Sequence, residues 1–302
     1  PGFVLWLVVV GAAVFLAGVH WGELTENITD RILNPGNLVV MWLVFPVLKA
    51  FHEFGHGFAV KLKGGEVHDM GIMFLVLTPV PYVDASASSA FREKSERVLV
   101  GAAGMAVEVF IGALALFFWA SAEPGPMRSL AYNVIFIAGV SSILFNGNAL
   151  LRYDAYYILS DLLEIPNLGP RGLRYAGYLF QRYLFGVREA EPPESTPGER
   201  VWFILYTVAS WAYRIFIYVA IVLFIASQFF FVGVLFAIWA AISMMVMPAA
   251  KGLKFLSSSP RLSRKRTRSV LVTGLLLAVI AVVIFLVPFP FGTRAEGVLW
   301  FP

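Results

Sequence analysis

The residues with the most distinct chemical potential are His52, Glu53 and His56, which form a His-Glu-x-x-His motif. Residues four positions apart lie on one face of a helix, so both imidazoles can bind one metal ion. The glutamate then projects beside that ion and can take a proton from a water molecule. Zinc suits this chemistry because it lowers the pKa of its bound water to about 7. The motif therefore predicts a zinc-dependent hydrolytic site.

A catalytic zinc site usually has a third protein ligand, and this chain offers few candidates. The chain has no cysteine and only four histidines, so thiolate ligands are excluded. Asp154 is the favoured third ligand, because it and the motif both lie near the cytosolic ends of predicted membrane helices; the alternative is a helix-capping carboxylate. His20 is expected on the opposite side of the membrane. His68 is favoured as a solvated loop residue over a ligand.

The composition indicates what kind of fold holds these residues. Of the 302 residues, 59% are hydrophobic and 14% are charged, and the mean hydropathy is +0.77. A soluble globule cannot bury so much apolar surface, so a soluble enzyme and a disordered chain are both excluded. The sequence predicts an all-α polytopic protein embedded in the lipid bilayer. The net charge of +4 is attributed to cytosolic loops, and no nucleic-acid partner is expected.

Seven apolar stretches are long enough to cross the bilayer, namely 3–19, 38–62, 98–120, 130–151, 201–226, 229–248 and 270–287. The loops after the second, fourth and sixth stretches hold 17 Lys and Arg residues, whereas the alternate loops hold three. Because positive loops stay in the cytosol, we expect a cytosolic N-terminus and an external C-terminus, in a bacterial inner membrane. Three further segments predict a small membrane-associated β-hairpin at 64–83 (the alternative is a re-entrant segment), a short polar helix at 86–96 and an interfacial helix at 171–185.

The motif and two later residues resemble the site-2 protease family of intramembrane zinc metalloproteases. That family pairs His-Glu-x-x-His with an Asn-x-x-Pro…Asp-Gly pattern on a later transmembrane helix, and Asn146 and Asp154 match the second pattern. The resemblance implies that His52, His56 and Asp154 bind zinc. It also implies Glu53 as the general base and Asn146 as a group that holds the substrate or the oxyanion.

The resemblance covers about residues 38–170. The flanking segments are similar to a branch of peptide zinc metalloproteases, at Gly64-Gly65, Tyr82-Val83-Asp84, Tyr156-Tyr157 and Ile165-Pro166-Asn167-Leu168. Two positions depart from the family pattern. Ala149 replaces the proline, which is expected to straighten a local helix break. Ala155 replaces the glycine, which disfavours a positive φ just after Asp154.

Ionisable side chains inside the predicted helices are costly in a bilayer and usually line a site or form pairs. Lys49 either pairs with Glu53 or points to a different face, and the different face is favoured. Glu108 either pairs with Arg214 or lies beside the metal cavity. The residues predicted to surround the metal without binding it are Glu108, Asn148 and His68.

These features divide the chain into 1–37 (first transmembrane helix and external loop), 38–170 (metalloprotease core), 171–200 (cytosolic linker), 201–289 (C-terminal transmembrane helices) and 290–302 (start of an external segment). The chain begins with Pro and ends with Phe-Pro, so we expect it to be a piece of a longer protein. Residues 288–300 resemble the start of a periplasmic adaptor domain, and this resemblance implies a periplasmic adaptor or export partner.

The leading hypothesis is hydrolysis of peptide bonds in a membrane protein or membrane-associated peptide, with zinc as the cofactor. The hairpin at 64–83 would offer an edge to an extended substrate. The alternative is a non-proteolytic membrane component of peptide export or maturation, which the adaptor-like segment favours. A membrane di-iron hydroxylase is disfavoured, because it needs more than four histidines.

Overall fold

The computed structural model describes residues 2–75, 78–258 and 265–286, and the chain divides into two compact units, Pro1–Leu168 and Gly169–Pro302. Helices dominate both units. Among the described residues, five helices are long and apolar enough to cross a membrane, so the protein is an integral membrane protein of mainly helical fold. The predicted number of seven is not confirmed. The adaptor-like segment 290–302 lies outside the described residues.

The first unit holds the residues of the predicted site. Its elements are α1 (Gly2–Val19), α2 (Trp21–Thr25), α3 (Ile28–Leu33), α4 (Pro35–Leu62), β1 (Met70–Leu75), β2 (Thr78–Val83), a 3₁₀-helix (Ser86–Ala90), α5 (Lys94–Ser121), α6 (Pro126–Gly139), a π-helix (Val140–Asn146) and α7 (Asp154–Leu162). Helix α5 packs against α1, α4, α6 and α7. It is therefore the central helix of this unit, and its side chains can reach every helix that carries a predicted site residue.

Small residues let α4 and α5 approach closely at the level of the motif. A Cβ atom at Gly55 would lie 2.9 Å from the carbonyl oxygen of Ala103, so only glycine fits between the two backbones. Toward the C-terminal end of α4 from this crossing, a small apolar cluster contains Ala59, Val60 and Val100. The close crossing brings the side chains of α5 within hydrogen-bonding range of the histidines on α4.

The predicted hairpin is confirmed as a two-stranded antiparallel sheet, with Met70 opposite Val83 and Leu75 opposite Thr78. Strand β2 lies along α4. Trp42 donates from Nε1 to Thr78 Oγ1 (3.3 Å), and the Val83 amide donates to Glu53 Oε2 (3.1 Å). The rise from Trp42 to Glu53 along the helix and from Thr78 to Val83 along the strand is about 16 Å in each case. Strand β2 therefore ends beside the glutamate of the motif.

The segment after the hairpin differs from its prediction. A 3₁₀-helix covers Ser86–Ala90, and α5 begins at Lys94, so the single short helix predicted at 86–96 is wrong. The Asp84 side chain accepts a hydrogen bond from the Ser86 amide (2.9 Å), which turns the chain out of β2. Hydrogen bonds from Ser86 lower the pKa of Asp84 below its usual value.

The predicted fourth membrane helix is broken before its expected end. The π-helix ends at Asn146, the Gly147 amide donates to the Ser142 carbonyl (2.7 Å), and residues 147–153 are not helical. The break is therefore present without a proline, and the expected straightening at Ala149 is wrong. The π-turn itself ends the regular α-helical ladder, so the ring of a proline is not needed to interrupt it.

Ala155 is compatible with the backbone at its position. It lies in the first turn of α7, directly after Asp154. Among the described residues other than glycine, a positive φ occurs only at Asn27, Glu164 and Asn167. The backbone at Ala155 is thus helical, and an alanine there carries no conformational cost.

The second unit contains α8 (Leu168–Leu179), a π-helix (Phe180–Leu184), α9 (Pro197–Gln228), α10 (Phe230–Ala241), a π-helix (Ile242–Val246), α11 (Met247–Ser258) and α12 (Arg266–Leu286). Helix α8 and its π-turn occupy the segment predicted as helical at 171–185. Helix α9 begins with a capping box of Thr196 and Glu199, and Arg171 forms an ion pair with Glu199 (2.7 Å). The predicted membrane helices at 229–248 and 270–287 contain helices that are not among the five long apolar ones.

Candidate metal centre

The structure brings His52, His56 and Asp154 together. The two histidines lie one turn apart on α4, and Asp154 is the first residue of α7. The His52 Nε2 atom lies 3.2 Å from His56 Nε2 and 3.0 Å from Asp154 Oδ2, and His56 Nε2 lies 3.6 Å from Asp154 Oδ1. Within the described part of the chain, this is the one group of three or more His, Cys, Asp or Glu residues arranged to hold a metal ion.

The separations at this site are compatible with one bound metal ion. With zinc–ligand bonds of about 2.0–2.1 Å, the ligand atoms of a tetrahedron lie about 3.3 Å apart. The two Nε2 atoms are 3.2 Å apart, and each lies 3.0 or 3.6 Å from a different oxygen of Asp154. One ligand atom from each of the three residues lies within 4.8 Å of the other two.

The outer hydrogen bonds of the two imidazoles also fit a bound cation. His52 Nδ1 donates to Glu108 Oε2 (2.8 Å), and His56 Nδ1 donates to the Val100 carbonyl (2.7 Å). In these tautomers, assigned from the hydrogen bonds, both Nε2 atoms carry lone pairs that face each other. Two facing lone pairs repel, whereas a cation between them is attracted to both. Metal-binding histidines typically hold their second ring nitrogen in this way.

Gly104 of α5 makes room for the site. A Cβ atom at position 104 would lie 2.6 Å from His52 Nε2 and would also collide with His56 Nε2. Any side chain there would fill the space in which the ligand atoms converge. The sequence alone did not identify Gly104, because the reason for this glycine is a contact with another helix rather than a local turn.

The charges around the histidines call for a divalent cation. Three carboxylates, from Glu53, Glu108 and Asp154, are half-buried or buried in this region, and Lys49 pairs with one of them, Glu108. The neutral histidines add no charge, so the group has two excess negative charges. Uncompensated charge is expensive inside a membrane protein. A zinc ion would neutralise the group.

Glu53 lies between the two histidines in sequence and is half-buried. One of its oxygens, Oε2, accepts the hydrogen bond from the Val83 amide at the end of β2. This leaves Oε1 for a further hydrogen bond. The hairpin therefore fixes the carboxylate that the motif assigns to proton transfer.

Helix α7 is held so that Asp154 faces the histidines. Arg97 of α5 donates from Nε to Asp161 Oδ1 (3.0 Å), near the end of α7. Asp154 lies outside the five long apolar helices, at the N-terminus of α7, where the helix dipole favours a carboxylate. Asp154 is thus ready to bind a cation as a carboxylate.

The remaining predicted site residues have different surroundings. Asn146 is buried, and its Nδ2 donates to Glu108 Oε2 (3.5 Å). Asn148 Oδ1 accepts from the Leu150 amide (2.9 Å) within the helix break, so it shapes that turn. The His68 side chain is 66% exposed, its Nδ1 atom lies 3.9 Å from Glu66 Oε2, and it does not join the three candidate ligands.

Lys49 and Glu108 form a contact that the sequence did not predict. Lys49 Nζ lies 3.1 and 3.3 Å from the two oxygens of Glu108, and it also contacts Ser141 Oγ. The expectation that Lys49 points away from Glu53 is consistent with this contact. Of the two alternatives given for Glu108, a pair with Arg214 and a place beside the metal ligands, its hydrogen bond with His52 agrees with the second.

The comparisons with known proteins assign no family to the chain. No protein-family model, no curated protein and no solved structure matches it. Any functional assignment therefore depends on the geometry and chemistry of the site.

Proposed function

We propose that this protein is an intramembrane zinc metalloprotease, which hydrolyses peptide bonds of a membrane protein or membrane-associated peptide. One observation carries the proposal: the ligand atoms of His52, His56 and Asp154 lie within 4.8 Å of one another, and Glu53 directly follows His52 in the sequence. The likeness of these residues to the site-2 protease pattern supports it. The observed break after Asn146 also supports it, because the break places Asp154 at the start of a new helix.

Each residue of the proposed active site would have a distinct role. His52, His56 and Asp154 would hold zinc, which when bound activates water and polarises a peptide carbonyl. Glu53 would take a proton from that water at its carboxylate and deliver it to the leaving amide nitrogen. Asn146, whose amide group lies in the same buried cluster, would hold the substrate backbone.

The outer edge of β2 would bind an extended substrate by accepting hydrogen bonds from the amide groups of that substrate. The Asp84 amide donates to the Asp69 carbonyl (2.8 Å), so even-numbered positions of β2 face β1 and odd-numbered positions face outward. Two of the outward positions are Pro79 and Pro81, which have carbonyl oxygens but no amide hydrogen. This edge therefore accepts hydrogen bonds and offers none in return at those positions.

An acceptor-only edge suits a peptide that must be cleaved. A helical substrate hides its peptide bonds, so it must unwind before hydrolysis. Its extended amides would donate to Pro79 and Pro81, while its carbonyl oxygens on that side stay unpaired. A free carbonyl oxygen is what the scissile bond needs at the zinc. The end of β2 at Glu53 would direct the peptide to the site.

We also propose the orientation of the protein, with its N-terminus in the cytosol and its C-terminus outside, in a bacterial inner membrane. The excess of Lys and Arg in alternate loops supports this orientation. The metal centre would then lie toward the cytosolic side of the bilayer.

The test replaces the proposed base without changing the shape of its side chain. Glu53→Gln should keep one zinc per chain, because no ligand is lost, and should slow cleavage by about a hundredfold or more. Zinc content is measured on the purified full chain, and cleavage by mass spectrometry of membrane-anchored peptides in proteoliposomes. Glu66→Gln is the matched control, since Glu66 is 75% exposed and outside the site.

Two outcomes would contradict the proposal. Cleavage that is unchanged in Glu53→Gln would rule out the mechanism. Wild-type protein without zinc, despite intact His52 and His56, would favour the non-proteolytic role in peptide export or maturation.

A further inference from the structure

A fully buried carboxylate supports the metal centre from behind. Glu108 has no exposed surface and lies in α5. Its Oε2 atom accepts hydrogen bonds from His52 Nδ1 (2.8 Å), Lys49 Nζ (3.1 Å) and Asn146 Nδ2 (3.5 Å). Three helical segments therefore meet at one oxygen atom: α4, α5 and the π-helix that ends at Asn146.

The direction of these bonds matters for His52. A carboxylate at Nδ1 keeps the proton on that nitrogen and turns the lone pair of Nε2 toward the metal. It also fixes the plane of the ring, because a hydrogen bond of 2.8 Å to a buried acceptor leaves little freedom.

Lys49 is the partner that holds Glu108 in place. An unpaired carboxylate is costly in this environment, and Lys49 Nζ lies within 3.3 Å of both of its oxygens. Ser141 contacts the same ammonium group and directs it toward Glu108. The oxygen that meets His52 is therefore fixed by charge and by hydrogen bonds at once.

A second pair between the same helices has none of these features. Lys63 at the end of α4 and Glu96 at the start of α5 form an ion pair of 3.3 Å, and both side chains are about one third exposed. Neither contacts a histidine. An exposed ion pair is therefore sufficient to link α4 to α5. The buried pair of Lys49 and Glu108 then has a role other than helix association, and its contact with His52 indicates which role.

We propose that Glu108 is a positioning residue for His52 and that Lys49 holds the Glu108 carboxylate in the orientation that this requires. The proposal rests on the proposed zinc site, and it concerns metal affinity and geometry rather than turnover. Glu108 acts through the orientation of an imidazole, not only through its charge.

The experiment measures zinc affinity by chelator competition on the purified full chain. Glu108→Leu removes the acceptor and should weaken zinc binding by about 10- to 100-fold. Glu108→Gln keeps an acceptor oxygen at the same place and should recover part of that loss. Lys49→Met should also weaken binding, because it frees the carboxylate. Lys63→Met and Glu96→Gln are the matched controls and should leave the affinity unchanged.

The Lys49 variant separates positioning from charge alone. If Glu108 acted only by its negative charge, removing the nearby positive charge would tighten zinc binding, and that result would overturn the proposal. The absorption spectrum of the cobalt-substituted protein gives a second readout, since altered ligand geometry shifts its visible bands. A purely structural role would lower the melting temperature of the metal-free protein with no change in affinity or spectrum.

The outcomes distinguish this inference from the proposed function. Wild type with one zinc per chain and unchanged affinity in all Glu108 and Lys49 variants overturns the positioning role alone. Wild type that binds no zinc overturns both. Weaker binding in Glu108→Leu with partial recovery in Glu108→Gln supports the inference, whether or not a substrate is cleaved.

Discussion

The two histidines of the candidate metal centre are supported in different ways. His56 gives its Nδ1 hydrogen to the backbone carbonyl of Val100, whereas His52 gives its own to the side chain of Glu108. On the first side, the support comes from the main chain of α5. On the second side, it comes from an ionisable group that depends on Lys49.

This difference teaches where the site is tolerant of change. A backbone carbonyl remains in place whichever side chain stands at position 100, provided that α5 keeps its course. A carboxylate inside a membrane protein is lost with a single substitution, and its partner is left unpaired. We therefore expect the chemistry at His52 to be sensitive to side chains, and that at His56 to be sensitive only to helix packing.

The largest effect on zinc binding is expected from a substitution that affects both histidines at once and so removes the difference between them. In Gly104→Ala, the new Cβ atom would occupy the space between the two Nε2 atoms. We expect loss of bound zinc, together with a destabilisation of about 1–3 kcal/mol from overpacking. Metal analysis and thermal unfolding of the purified protein measure both. The control is Gly112→Ala, also in α5, whose new Cβ atom would lie 3.0 Å from Ala138 of α6 and away from the histidines; it should retain zinc.

A smaller effect is expected from loosening the helix that carries the third ligand. Arg97→Met removes the ion pair with Asp161, so α7 is held less firmly against α5. We expect zinc affinity to fall by about two- to fivefold, the equivalent of one partly exposed ion pair. Lys94→Met removes a longer, exposed contact with Glu164 (3.9 Å) and is the control. Equal zinc affinities in wild type and Arg97→Met would show that the ion pair of Arg97 with Asp161 is not needed to position α7.

The smallest effect on the metal is expected on the side of His56. Val100 is 2% exposed, and Val100→Ala should cost about 2 kcal/mol of stability through lost apolar contacts. Its carbonyl stays, so zinc affinity should not change. A change in zinc affinity as large as that of Glu108→Leu would remove the distinction between the two sides.

Local spacing explains what the sequence could predict. The pair His52 and His56 lies at i and i+4 of one helix, so its shared face follows from helix geometry alone. Asp154 could be placed at a similar depth from the alternation of charged loops. The hairpin was readable from its glycines and its apolar strands.

Contacts between helices explain what the sequence could not predict. The pairing of Lys49 with Glu108 depends on how α4 and α5 are rotated about their axes, and no local pattern fixes that rotation. The Val100 carbonyl belongs to the backbone, so its role leaves no trace in residue type. The break after Asn146 was tied to a proline, but a π-turn produces it here.

The prolines of β2 also bear on how copies of this protein behave in a crowded bilayer. Two such edges cannot join, because each bond between them would need a donor that neither strand has at positions 79 and 81. Self-association through this edge is thereby discouraged. A strand with free amide donors can still bind to this edge. Because it forms only about half of the hydrogen bonds of a complete ladder, it can also dissociate. Pro79 and Pro81 thus favour transient binding over stable association.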